Sequence, residues 1–331
     1  MIITKTPYRI SFFGGGTDYP DWYQEYGGAV LATTINKYCY ISCRVLPPFF
    51  EHKHRIVYSN IESVNNINEI KHPAVRNILK WKKISQGLEI HHDGDLPARS
   101  GLGSSSSFTV GLLQALYALD GRMQSKYELA KTAIYIEQDL IKENVGSQDQ
   151  VSAAFGGLNK IDFLKNDSFS VNPLILKKNR KKELESHLIL FFTGVTRIAS
   201  NIAEAQINNL KNKKEELFRM KEMVDEAIHI LINEQYPIEE FGNLLHQNWK
   251  YKQTLSDKIT TPKINEIYEN ALSVGAIGGK ILGAGGGGFI LFFAKPEKHE
   301  IIKKRLNDLV HVPFNFEELG SQVVLYQPNG F

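Results

Sequence analysis

The sequence predicts an α+β protein in two halves, and three observations carry that reading. The chain has 331 residues, long enough for two domains with cores of their own. Stretches rich in β-branched and aromatic residues, such as 28–45, are interspersed with stretches that repeat apolar residues at helical spacing, such as 104–119. No segment recurs at a fixed period, which argues against a solenoid or propeller. The division between halves is placed near 181–186, giving 1–182 and 183–331.

Each element follows from local chemistry. Residues 2–13 read as β-rich and interrupted by Pro7, ending in Gly14-Gly15-Gly16-Thr17-Asp18, where backbone comes close to something. Pro20 near a first turn starts a short helix. Residues 28–45 read as two strands with a turn near Asn36-Lys37, ended by Pro47-Pro48. A strand is expected at 55–58, a helix at 74–83 and a strand at 88–92. Helices are expected at 104–119 and 126–142, the second with a stripe of Leu129, Ala133, Ile136 and Leu140. Asp149 falls in a short turn, Gly146-Ser-Gln-Asp-Gln150. Strands follow at 158–163 and 188–192, and the charge run 177–182 between them reads as a solvated turn. One long charged helical region spans 199–233, with further helices at 238–255 and 261–274. The glycine run of 278–288 precedes a strand at 289–294, and a helix at 297–309 and a strand at 322–326 close the chain.

Composition narrows the function. A net charge of +3, from 39 basic and 36 acidic residues, supplies no field strong enough to argue for nucleic acid or a membrane surface. No apolar run approaches the roughly 20 residues needed to span a bilayer. Cys39 and Cys43 fit small buried thiols, and with no secretory signal a reducing cytoplasm is expected. His52, His54, His91 and His92 match no zinc spacing, and no metal is assigned to them.

The stretch with the most chemical content is 95–108. It carries Pro97, Ser100-Gly101-Leu102-Gly103 and the serines 104–107, then turns apolar at helical spacing. A small-residue loop that stops where a helix starts leaves unpaired N–H groups at the positive end of the macrodipole, which suits phosphate. The same loop also reads as a well-capped helix after a flexible turn. It is neither a Walker A sequence nor a dinucleotide fingerprint. Three glycine-rich segments, near the start, in the first third and in the last sixth, suggest one pocket for an anionic ligand shared between the halves.

Pro7–Asp18, Pro97–Ser106 and Lys280–Gly288 resemble, in order and spacing, the three signature motifs of the GHMP small-molecule kinases. The resemblance implies a first domain like the second domain of ribosomal protein S5, then a ferredoxin-like α+β domain, with ATP and Mg²⁺ as cofactors. Gly27–Tyr38, Val145–Gln150, Thr193–Arg197 and Gly275–Lys280 resemble one branch, the D-glycero-D-manno-heptose 7-phosphate kinases. A fucokinase-like kinase of free sugars and a catalytically silent sugar sensor are the competing readings. Intact Arg9, Asp18, Glu137 and Asp149 count against silence. The partner implied is a small-molecule sugar phosphate, with the chain as monomer or homodimer.

By the resemblance, Asp149 receives the sugar hydroxyl's proton or acts through its charge, and Arg9 partners it. Asp18 accepts hydrogen bonds from sugar hydroxyls, beside Gly15, Gly16 and Thr17. The ATP phosphates lie on Pro97, Ser100, Gly101, Leu102, Gly103, Ser104, Ser105 and Ser106, supported by Gly285 and Gly286. Ser105 and Glu137 match a serine–glutamate pair for Mg²⁺, with Ser104 and Ser106 open as alternatives. Arg197 reads equally as a clamp for a distal phosphate and as a surface arginine.

Overall fold

The computed structural model describes residues 1–98, 100–194 and 199–329. β1 (Ile2–Phe13) is one continuous strand, and Pro7 does not interrupt it. After α1 (Pro20–Tyr26), β2 (Gly28–Val45) is likewise a single strand of 18 residues, where two were expected. The reason lies in their pairing. Tyr8 faces Ile35 and Pro7 faces Tyr38, so Asn36 and Lys37 form a bulge opposite the residue that lacks an N–H. The bulge keeps outside partners: Asn36 N–H donates to Asn315 and Tyr38 N–H to the Asp95 carboxylate.

β3 (His54–Val57) and β4 (Ile61–Val64) form a hairpin, and α2 (Pro73–Trp81) leads to β5 (Leu88–Gly94). α3 (Ser104–Leu119) is buried along most of its length against β1 and β2. It approaches closely because Gly111 lacks a side chain: a Cβ there would lie 2.8 Å from Thr6 Oγ1, and Thr4 Oγ1 donates to Gly111 O at 3.0 Å. α4 (Lys126–Tyr135) does not run on to 142 as expected. It widens into a π-helical turn, Ile136–Ile141, closed by Lys142 at φ 62°. α5 (Gln148–Phe155), β6 (Leu158–Phe163) and β7 (Phe169–Pro173) complete this part, β7 having no forecast in the sequence.

The 177–182 run is not a solvated turn but part of α6 (Lys178–Ser186). Arg180 is buried there, because its guanidinium donates to the carbonyls of Ile230 and Tyr236. β8 (Leu188–Phe192) follows. The long charged region breaks at 210–212 into α7 (Ala199–Asn209) and α8 (Lys214–Ile232). Then come α9 (Glu239–Thr254), α10 (Pro262–Ser273), β9 (Ala276–Ile281), β10 (Phe289–Ala294) and α11 (His299–Arg305), the last shorter than its expected 297–309. The short β11 (Val310–His311) and β12 (Phe316–Glu317) precede β13 (Gln322–Tyr326).

Two sheets result. The nine-stranded sheet runs β13-β1-β2-β5-β3-β4, with β6 and β12 also on β2 and β7 on β6. The second, β11-β8-β10-β9, is antiparallel throughout. The chain's last strands thus return to the first sheet, on β1 and β2. The two parts meet through the first core: Phe12 and Phe13 both pack edge-on against Phe241 of α9.

Candidate functional site

β1 and the loop before α3 form the base of a cavity between the two parts. Arg9 N–H donates to Leu102 O, and Ser107 Oγ donates to Pro7 O at 2.9 Å, fixing the helix start on the strand. Gly103 takes left-handed backbone, φ 76° and ψ 25°, as the residue that caps α3. Gly101, Gly103, Ser104, Ser105 and Ser106 line the cavity.

The Arg9 guanidinium organises the centre. It donates to Asp149 through Nε (2.7 Å) and Nη2 (2.8 Å), a bidentate pair, and through Nη1 to Gly101 O at 2.6 Å. Asp149 sits in the first turn of α5 and not in a free turn, because residues 148–155 close into a helix beneath it. Asp18 is buried: its carboxylate accepts from Gly16 N–H at 2.9 Å, and its carbonyl accepts from Ser147 N–H. Burial raises the Asp18 carboxyl above its ordinary range, against the pull of the Gly16 N–H. A Cβ on Gly146 would lie 1.9 Å from Asp18 Oδ2, so that glycine makes room for the carboxylate.

The glycine run of the second part reaches the first through backbone alone. A Cβ on Gly283 would lie 2.6 Å from Gly101 Cα, one on Gly288 would lie 2.2 Å from Ser100 O, and Phe289 N–H donates to that same carbonyl. Gly283 and Ala284 therefore line the cavity, whereas Gly285 and Gly286 turn away to pack on Ile259, whose carbonyl accepts from Gly286 N–H.

Several other expected contacts are also displaced. Thr17 does not face the cavity: its hydroxyl donates to Gly14 O and Ala29 O and accepts from Ala29 N–H, bracing the turn. Pro97 is exposed and Leu102 is in the core, so neither lines the cavity. Ser100 is buried beneath it. The serine that meets Glu137 is Ser106, not Ser105; Ser106 Oγ donates to Oε2 at 2.8 Å. One helical step rotates a side chain by about 100°, which leaves Ser105 exposed. Arg197 lies outside the described residues.

Glu137 lies on the widened turn and is fully buried. Burial pushes its carboxyl up to about 7, against the hydrogen bonds around it. Its Oε1 makes no well-formed hydrogen bond among the described residues and has the Thr109 hydroxyl beside it. A buried carboxylate oxygen of this kind beside a cavity-lining hydroxyl is an oxygen donor set that fits Mg²⁺, which takes few protein ligands and completes its shell with water and phosphate.

Sequence reasoning missed Lys252 and Gln206, both of which line the cavity. Gln206 donates to Ala284 O at 2.6 Å, and Lys252 to Gly283 O at 2.6 Å. The signal for Lys252 was its phase: Phe241, Leu245, Asn248, Trp249 and Lys252 share the buried face of α9.

Family models for the GHMP kinases N terminal domain and the GHMP kinases C terminal match residues 68–157 and 233–311. The chain belongs to the GHMP kinases, and it is an ATP-dependent phosphoryl transferase of that fold. It is 32% identical to a D-glycero-alpha-D-manno-heptose 7-phosphate kinase of Campylobacter jejuni, over 96% of this chain and 97% of that one. A crystal structure of a D-glycero-D-manno-heptose 1-phosphate kinase from Bacteriodes thetaiotaomicron superposes with a TM-score of 0.79, at 27% identity and 98% coverage of both chains. A bifunctional fucokinase/GDP-fucose pyrophosphorylase of Arabidopsis thaliana is 25% identical over 94% of this chain, which spans 31% of that protein.

Proposed function

We propose that this kinase transfers the γ-phosphoryl group of ATP to the anomeric hydroxyl of D-glycero-D-manno-heptose 7-phosphate, giving the 1,7-bisphosphate used for nucleotide-activated heptose. The observation that carries the reading is the full-length similarity to the Campylobacter enzyme, together with Asp18, Arg9 and Asp149 around one cavity. In this reading the backbone N–H groups at the start of α3 hold the ATP phosphates. Asp18 orients sugar hydroxyls, and Asp149 receives the attacking hydroxyl's proton or stabilises it by charge while Arg9 holds the carboxylate in place. Ser106 and Glu137 would hold Mg²⁺, which when bound would supply charge neutralisation at the phosphates.

The 7-phosphate brings about two negative charges that a selective site must meet. Arg197 is our candidate, on its place in the Thr-Gly-Val-Thr-Arg segment. Arg197→Met should raise the KM for heptose 7-phosphate roughly 10- to 150-fold and leave the KM for ATP nearly unchanged. The second reading, a kinase of fucose-like free sugars, draws on the similarity to the fucokinase. A screen of free sugars and sugar 7-phosphates with ATP and Mg²⁺, with the phosphorylated position mapped by NMR, separates them. Preference for an unphosphorylated sugar would sink the heptose 7-phosphate assignment.

A further inference from the structure

A lysine at the edge of an apolar stripe ordinarily runs its stem along the surface and leaves its ammonium in water. Lys252 does not. It is 5% exposed, and its ammonium points into the cavity, where one N–H is committed to Gly283 O. An ammonium carries three donors, and among the described residues no other hydrogen bond engages it.

The surroundings point to a ligand. An ideal Cβ on Gly15 would lie 4.0 Å from Lys252 Nζ, 3.8 Å from Gln148 Nε2 and 3.8 Å from Ser11 Oγ. Three polar side chains from α9, α5 and β1 thus converge on the open side of one glycine. Ser11 Oγ and Gln148 Oε1 are buried and have no partner among the described residues. Buried polar atoms left unpaired are rare and costly, and Gln148, which lines the cavity beside Lys252, marks where a polar ligand completes the set.

We propose that Lys252 is a further catalytic residue, donating to an oxygen of the acceptor beside Gly15, with Gln148 completing that subsite. This rests on the reading that the acceptor is a sugar bound at Gly15–Asp18. A buried ammonium holds an oxygen on which negative charge grows more tightly than a neutral one, so the contact strengthens as the hydroxyl loses its proton. Its bond to Gly283 O ties the acceptor subsite to the glycine run that packs on the phosphate loop.

Burial lowers the Lys252 ammonium to about 8; Asp18 and Asp149 oppose that fall and Arg9 adds to it. Lys280, the other buried lysine nearby, is pushed well below its ordinary range by its own burial. The charge on Lys252 is therefore lost as pH rises through about 8.

The test uses the full chain and the acceptor found by the sugar screen. Lys252→Met should raise the acceptor KM roughly 10- to 150-fold and lower kcat, with nucleotide affinity by calorimetry unchanged. Lys252→Arg should move the alkaline limb of kcat/KM for the acceptor upward, since guanidinium does not deprotonate in this range. Gln148→Met reads the same subsite without touching the lysine and should also raise the acceptor KM. An unmoved acceptor KM in Lys252→Met or Gln148→Met, an unmoved limb in Lys252→Arg, or an equal loss of nucleotide affinity overturns the inference. None of these outcomes bears on which sugar the wild type prefers, so the substrate reading stands or falls on the screen alone.

Discussion

Asp149 and Glu137 are two carboxylates of one site in opposite surroundings. Asp149 is a quarter exposed, lines the cavity and is gripped through Nε and Nη2 of the buried Arg9 guanidinium. Glu137 is fully buried, meets only neutral donors, and leaves one oxygen without a well-formed hydrogen bond among the described residues. The first is held by a fixed cation at the cavity wall. The second is a carboxyl that burial pushes up to about 7. Residue type alone would assign both the same chemistry, and environment separates them.

The largest break in this contrast is expected from Asp149→Asn. The amide keeps the shape and removes both the charge and the proton acceptor. Turnover should fall on the order of 10²–10⁴-fold, with nucleotide affinity preserved. Near wild-type turnover would remove Asp149 from the chemistry, whether its role is general base or electrostatic.

Glu137 is tested by pH and without ligand. Its folded carboxyl, at about 7, lies above the unfolded value near 4.5. Between those values the folded state holds a proton that the unfolded chain does not, so stability from this group falls as pH rises. The whole loss is on the order of 3 kcal/mol. Glu137→Gln removes this titration, so its stability relative to wild type should climb by up to that amount between pH 5 and pH 8. Urea unfolding of both proteins across that range measures it. A constant difference would mean that Glu137 is already ionised in the folded protein.

Much of this site could be read in the sequence, because glycine runs and an invariantly charged arginine carry local meaning. The strands at 158–163, 188–192, 289–294 and 322–326 could be read too, as compact β-rich runs bounded by turns or charge. What could not be read depends on distant partners. The turn expected at Asn36-Lys37 became a bulge because Pro7 lies opposite it. The 177–182 run became helical with Arg180 buried, because carbonyls at 230 and 236 receive that guanidinium. Gly285 and Gly286 read like Gly283, yet only Gly283 reaches the cavity, because Ile259 takes the others. Lys252 belongs to the cavity only once α9, packed on β9, is brought against β1.

The smallest effect separates neighbours that the sequence cannot phase. In a run of serines, the residue that faces inward depends on where the helix begins, and left-handed Gly103 sets that start. Ser106 then faces Glu137, while Ser105 stays exposed at the cavity. Ser106→Ala removes a donor from a buried carboxyl and should cost about 1–3 kcal/mol of stability. Ser105→Ala removes an exposed hydroxyl and should stay within about 0.5 kcal/mol of wild type. The two variants also rank the serines as Mg²⁺ ligands: Mg²⁺-dependent nucleotide affinity should fall in Ser106→Ala and hold in Ser105→Ala. The reverse ranking would show that the helix start rearranges when nucleotide binds, and that the carboxyl at 137 serves the fold more than the metal.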